Sequence, residues 1–169
     1  MTTKATDFKE RMTKELTDFI RCQASSLSVA DLDRLIADLP ALRERFAKIP
    51  TQTYPNLSDQ LEFLCRFVEE QVVGRDLAEE AVAEAAFALL YFQRATDLIP
   101  DSIPDMGLSD DSMIVSIVLR RQEHAFKRSS HGHLLRWPEP RFDVDQLLSV
   151  ISPLRVTSFC SSLAIRPPA

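Results

Sequence analysis

The sequence predicts an all-α fold, a compact bundle of about six to seven helices with a stiff Pro/Asp-rich helix-connecting loop. Three observations favour helices. The 169 residues include only three glycines and two tyrosines, whereas β-sandwiches and barrels need many turns and β-forming side chains. Apolar residues recur at helical spacing along most of the chain, and no strand-like alternation persists. Leucine, alanine, glutamate and arginine, which helices favour, are abundant.

Residues 1–50 predict a helical segment that packs on the main body. An apolar stripe at helical spacing indicates a first helix from about Thr6 to Cys22. Its members are Phe8, Met12, Leu16, Phe19 and Ile20. Fifty residues bury little surface alone, which favours packing on the main body over the alternative, a separate dimerising hairpin.

Two further helices are predicted before the linker at residues 50–55. Ser28 and Asp31 resemble a capping box that opens a short second helix. Pro40 suits the first turn of a third helix, because a proline at that position loses no helical hydrogen bond. The linker, with prolines at both ends, separates these helices from the main body.

The main body is predicted to span residues 56–152 as a helical core. Ser58 is expected to cap one helix, which Gly74 closes, and Asp76 is expected to open the next. The many alanines of that next helix predict a central position in the bundle, and Cys65 is expected in the core. A later helix should run from Ser109 to about residue 127, followed by a short helix over residues 143–151 and an extended tail at 153–169.

The charge of the chain is unevenly spread. Net charge is −5, yet residues 51–112 carry three basic and thirteen acidic side chains, and residues 113–169 carry eight basic and four acidic ones. The acidic middle would repel phosphates, so no nucleic-acid partner is expected. We interpret the basic part as facing the acidic middle of the same fold, and an anionic partner is the alternative.

The most distinctive stretch joins two predicted helices between residues 87 and 119. It contains two Ile-Pro-Asp triplets and five aspartates, of which four form the candidate metal site: Asp97, Asp101, Asp110 and Asp111. Prolines restrict both their own backbone and that of the preceding residue, so the loop is expected to be stiff.

These aspartates admit two main interpretations. As structural residues they would cap turns and helices, with Ser109 as the N-cap and Asp110 and Asp111 in the first turn. The counter-charge would then come from Arg94, Arg120 or Arg121. As functional residues they would converge as hard oxygen ligands for Mg²⁺ or Ca²⁺. Acid/base catalysis is a third reading, but no base and nucleophile are arranged for it.

The same stretch resembles the signature of the YkvA-like family, a bacterial domain of unknown function. The matching residues are Tyr91, Asp97, Leu98, Ile99, Pro100, Asp101, Ile103, Pro104, Gly107, Asp110 and Asp111. Ala95 stands where the family usually has proline, and the resemblance covers about 40 of the 169 residues. It implies a small helical domain, often tied to a membrane, and brings no settled activity.

No reaction can be named from the sequence, and a non-enzymatic binding or interaction module is favoured. Gly-rich phosphate loops, GxSxG elbows and HExxH helices are absent, and no small-molecule substrate can be identified. A protein partner or self-association is expected. The alternatives are a divalent-metal-dependent module and a peripheral membrane protein, the latter suggested by the family resemblance and by the basic residues between 120 and 141. Without a secretory signal or a long apolar run, a cytoplasmic protein is expected, with the inner membrane face as the alternative site.

Overall fold

Six helices form the part of the chain that the computed structural model describes, residues 3–72, 79–94 and 108–128. For residues 3–10, 12 and 72 only the backbone is described. The helices are α1 (Thr3–Ser25), α2 (Val29–Phe46), α3 (Leu57–Val72), α4 (Glu80–Gln93), α5 (Ser109–Arg121) and α6 (Glu123–Arg128). These ranges contain no strand, and the predicted all-α bundle is confirmed.

Several predictions fall outside the described residues. They are the cap at Gly74, the helix start at Asp76, the proline-rich loop over residues 95–107, the helix at 143–151 and the tail at 153–169.

Helix α4 is the centre of the bundle. Twelve consecutive residues, from Ala81 to Phe92, are buried, and α1, α2, α3 and α5 all pack against them. A helix buried all round is expected only at the core of a domain. Its alanines leave room for close neighbours, so the predicted central position is confirmed.

The prediction of two short helices on either side of Pro40 is wrong, because α2 runs through Pro40 without interruption. One buried stripe continues across the proline: Leu32, Leu35, Leu39, Leu42 and Phe46. The proline itself lies on the exposed side. A proline inside a helix costs about 3 kcal/mol, and burial of a leucine or phenylalanine side chain contributes about 1.5–3 kcal/mol. Five such side chains outweigh that cost.

The predicted capping box at the start of α2 is confirmed. The Asp31 backbone N–H donates to Ser28 Oγ at 3.2 Å, and the Ser28 backbone N–H donates to Asp31 Oδ2 at 2.9 Å. The Ser28 hydroxyl also donates to Asp31 Oδ2, and these bonds lower the pKa of the Asp31 carboxyl. The turn between α1 and α2 is therefore held by side chains.

Helix α3 begins at Leu57, so the prediction of Ser58 as its cap is wrong. At this end of the helix, the backbone N–H of Gln60 donates a hydrogen bond to the carbonyl oxygen of Asn56. Arg43 of α2 binds Glu62 and Glu69 of α3 with N–O distances of 2.9 and 2.8 Å. The predicted burial of Cys65 is confirmed, and burial raises the pKa of its thiol to about 12.

The predicted single helix from Ser109 to about residue 127 is two helices, because the chain turns at Gln122. Gln122 has φ −98° and ψ 17°, and its side-chain amide donates to Glu84 Oε2 of α4 at 3.1 Å. The turn directs Phe126 between Phe63 and Phe67, with ring centroids 5.3 and 4.7 Å apart. Tertiary contacts therefore set the break.

None of the described helices combines the length and the apolar character that a membrane span needs. Peripheral membrane association stays a prediction, because residues 129–141 of the basic segment lie outside the described part of the chain.

Candidate functional site

Two of the four predicted metal-ligating aspartates lie in the first turn of α5, as expected. Asp110 and Asp111 are each only 3% exposed. Asp97 and Asp101 fall outside the described residues. Within the described ranges, no three histidine, cysteine, aspartate or glutamate side chains are grouped so that they could hold a metal ion.

Both tyrosines of the chain reach this end of α5. The Tyr91 hydroxyl of α4 donates to Asp110 Oδ2 at 2.8 Å, and the hydroxyls of Tyr54 and Ser109 lie 3.0 Å apart. The prediction of Ser109 as N-cap is wrong: Leu108 is the N-cap, and the Ser109 side chain faces Tyr54. We call the side chains of Tyr54, Tyr91, Ser109, Asp110 and Asp111 the α5 polar cluster.

Replacing Tyr91 by phenylalanine is expected to lower the free energy of unfolding by about 1.5–3 kcal/mol, since it removes a buried hydrogen bond to a carboxylate. Tyr54→Phe is the matched comparison, because Tyr54 is equally buried and its hydroxyl faces another hydroxyl. A neutral hydrogen bond contributes about 0.5–1.5 kcal/mol. Urea unfolding of both variants measures the difference, and a larger loss for Tyr54→Phe would contradict the assignment.

A second polar cluster is built around Glu84, which is fully buried in the N-terminal half of α4. Arg121 Nη2 donates to Glu84 Oε1 at 3.0 Å, and Gln122 donates to the other oxygen. Arg121 Nη2 also lies 3.0 Å from Glu80 Oε1. The hydrogen bonds that Arg121 donates to the Glu84 carboxylate raise the pKa of the Arg121 guanidinium, so this residue stays charged. Helix α4 is thereby joined to the junction of α5 and α6.

This pairing corrects the prediction of Arg121 as a counter-charge for the aspartates. Arg121 stands ten positions after Asp111 on the same helix. At a rise of about 1.5 Å per residue, the two positions are about 15 Å apart along the axis. Arg121 therefore balances the charges of Glu80 and Glu84 in α4. It lies at the opposite end of α5 from the α5 polar cluster.

A pocket opens beside the Glu84 cluster, between the C-terminal half of α1 and the N-terminal half of α4. Its volume is about 550 Å³. We call it the α1–α4 pocket. Its polar lining includes Asp18, Arg21 and Cys22 of α1 and Glu80 and Glu84 of α4. Ala24, Leu27 and Ala83 provide an apolar wall.

Glu84, Tyr54 and the pocket were missed by sequence reasoning. One signal was present for Glu84: a single glutamate amid alanine, leucine and phenylalanine, in a helix expected at the centre of a bundle, requires a buried partner. Tyr54 lies in a segment that the prolines mark as a linker, so nothing local indicated its burial. The pocket depends on how α1 meets α4, which no spacing within either helix reveals.

Comparison of the chain with protein-family models, with curated proteins and with solved structures finds no match. The resemblance to the YkvA-like family therefore stays a prediction. Two of the residues that carry it, Tyr91 of α4 and Asp110 of α5, are hydrogen-bonded to each other.

Proposed function

We propose that this protein is a non-enzymatic binding module that acts through the α1–α4 pocket. The pocket itself carries the proposal. Its volume of about 550 Å³ falls within the range of ligand-binding pockets in proteins, about 300–1,000 Å³. It also places charged groups beside an apolar wall, so it offers a ligand both polar and apolar contacts.

The geometry around Glu84 supports a binding role. Both carboxylate oxygens accept hydrogen bonds from Arg121 and Gln122, so the side chain is held in one orientation on a buried helix. Polar groups held in this way, on regular helices, suit recognition because a ligand spends little free energy on ordering them. The same bonds occupy the lone pairs that a general base would use, which favours a fixed charge over proton transfer.

Amide chemical shifts of the full chain, measured with a set of small cationic, anionic and neutral compounds, test this proposal. At least one class should shift the amides of residues 18–27 and 80–84. Ser25→Trp, which places an indole at the pocket, should abolish the shifts. Ser26→Trp is the matched control. Ser25 and Ser26 are both exposed, and each hydroxyl donates to the carbonyl three residues earlier. Of these two serines, only Ser25 lines the pocket. If no class shifts these amides, the proposal is wrong.

A divalent-metal-dependent module is the second candidate, and the burial of Asp110 and Asp111 favours it. Asp110 and Asp111 are adjacent carboxylates at 3% exposure in the first turn of α5, and carboxylate oxygens are the ligands that Mg²⁺ and Ca²⁺ prefer. The fit is partial. Neighbouring helix positions do not face each other, and Mg²⁺ or Ca²⁺ takes six or more oxygen ligands. Further ligands would come from Asp97 and Asp101, outside the described residues.

Calorimetric titration with Mg²⁺ and Ca²⁺ tests the second candidate. Binding should release or absorb heat, raise the melting temperature, and disappear in Asp110→Asn. Asp59→Asn is the control, because Asp59 lies in the first turn of another helix, α3. Absence of heat together with an unchanged melting temperature would remove this candidate.

A further inference from the structure

The α1–α4 pocket has an apolar wall to which both sides of the pocket contribute. Ala24 and Leu27 belong to the end of α1 and the turn after it, and Ala83 lies opposite on α4. These side chains carry no polar group. An occupant that buries methylene groups here removes apolar surface from water, which favours binding.

The charges of the pocket are mixed, with an excess of carboxylates. Its lining holds Asp18, Glu80 and Glu84 against a single guanidinium, that of Arg21. Arg121, behind the lining, is bound to Glu84 and Glu80. With Arg121 counted, three carboxylates face two guanidinium groups, so the pocket retains one negative charge.

That surplus charge is assigned to Asp18. Glu84 is compensated by Arg121 at 3.0 Å, and Glu80 lies 3.0 Å from Arg121 and 3.4 Å from Arg21. Asp18 is exposed, and within the described residues it forms no ion pair. A cation bound next to it would complete the balance of charge in the pocket.

An exposed apolar side chain lies close to the pocket in sequence. Val29 is 47% exposed, the one large hydrophobic side chain so exposed among the described residues, and it stands two positions after Leu27. A protein surface that enters the pocket could also cover Val29, which a small cation alone would leave in water.

We infer that the α1–α4 pocket receives a lysine or arginine side chain presented by a protein partner. The methylene stem lies on the wall formed by Ala24, Leu27 and Ala83, and the cationic head lies near Asp18. Long basic side chains bind in this way, with an apolar stem and a charged head in different surroundings. This inference rests on the proposed function and names the ligand class of the same pocket.

Four capped tripeptides test the inference, each with leucine at both ends and lysine, arginine, norleucine or glutamate in the middle. Norleucine has the aliphatic stem of lysine without its charge. The lysine and arginine peptides should shift the amides of residues 18–27 and 80–84. The norleucine and glutamate peptides should bind at least about fivefold more weakly, which corresponds to about 1 kcal/mol of binding free energy. Asp18→Asn should weaken binding of the lysine peptide about two- to fivefold, as expected for an exposed ion pair. Asp33→Asn, a change at an exposed aspartate of α2 outside the pocket lining, should leave binding unchanged.

The outcomes separate this inference from the proposed function. If the norleucine or glutamate peptide binds as well as the lysine peptide, the ligand class is wrong while the pocket remains a binding site. If capped lysine amide alone binds as tightly as the lysine tripeptide, the ligand is a small cation and the protein partner is wrong. If no peptide and no compound of any class shifts the pocket amides, both proposals fail together.

Discussion

Replacing Arg121 by alanine is expected to lower the free energy of unfolding by about 3 kcal/mol. Removal of one partner from a buried ion pair costs about 3–5 kcal/mol, because the other charge stays buried without compensation. Here Glu84 is fully buried, and among the described residues it would keep the side-chain amide of Gln122, at 3.1 Å, as its hydrogen-bond donor. The side chain of Arg121 is 28% exposed, so water can reach the vacated space, and the lower end of the range applies.

Urea unfolding measures this effect. Arg120→Ala is the matched control, because Arg120 is the preceding residue of α5 and is exposed. Its replacement should change the free energy of unfolding by less than about 0.5 kcal/mol. Equal losses for the two arginine variants would contradict the role assigned to the pair of Arg121 and Glu84.

Replacing Phe126 by alanine is expected to cost about 3–5 kcal/mol, the largest loss predicted for an apolar side chain of this protein. Phe126 is completely buried, and its ring meets Phe63 and Phe67 edge to face. The six residues of α6 are too few for a helix that is stable by itself. Phe126 is the buried side chain of α6, so the attachment of this helix to the bundle depends mainly on it.

The Phe126→Ala variant should show a lower urea midpoint and faster hydrogen exchange throughout α6. His124→Ala is the control, since His124 is an exposed residue of the same short helix. A loss below about 1 kcal/mol for Phe126→Ala would mean that the cavity collapses or that α6 contributes little to the fold.

The helices were predictable where their signals are local. The stripe of α1, the capping box of α2 and the alanine-rich α4 are each encoded within one stretch of chain, because a helix repeats its contacts every three or four residues. The errors at Pro40 and at Gln122 have a common cause. At Pro40 a local breaker was overridden by five buried side chains, and at Gln122 an unbroken helical pattern was interrupted by contacts with α4 and α3.

The candidate site was predictable only in part. Asp110 and Asp111 were expected in the first turn of a helix and are found there. Their partner Tyr91 lies 19 residues before Asp110, and Tyr54 lies 55 residues before Ser109. Such distant pairs leave no trace in local spacing. The same holds for Glu84 and Arg121, which are 37 residues apart.

The sequence by itself determined that this protein is a helical bundle with α4 at its centre, because composition, periodicity and capping are properties of neighbouring residues. Only the tertiary structure decided where its charges meet and where it leaves space. The Glu84 carboxylate, buried in α4, pairs with the Arg121 guanidinium at the end of α5. A pocket lies between α1 and α4. The ion pair and the pocket both depend on contacts between helices across the bundle. Burial strengthens such contacts whatever the number of residues that separates the partners along the chain.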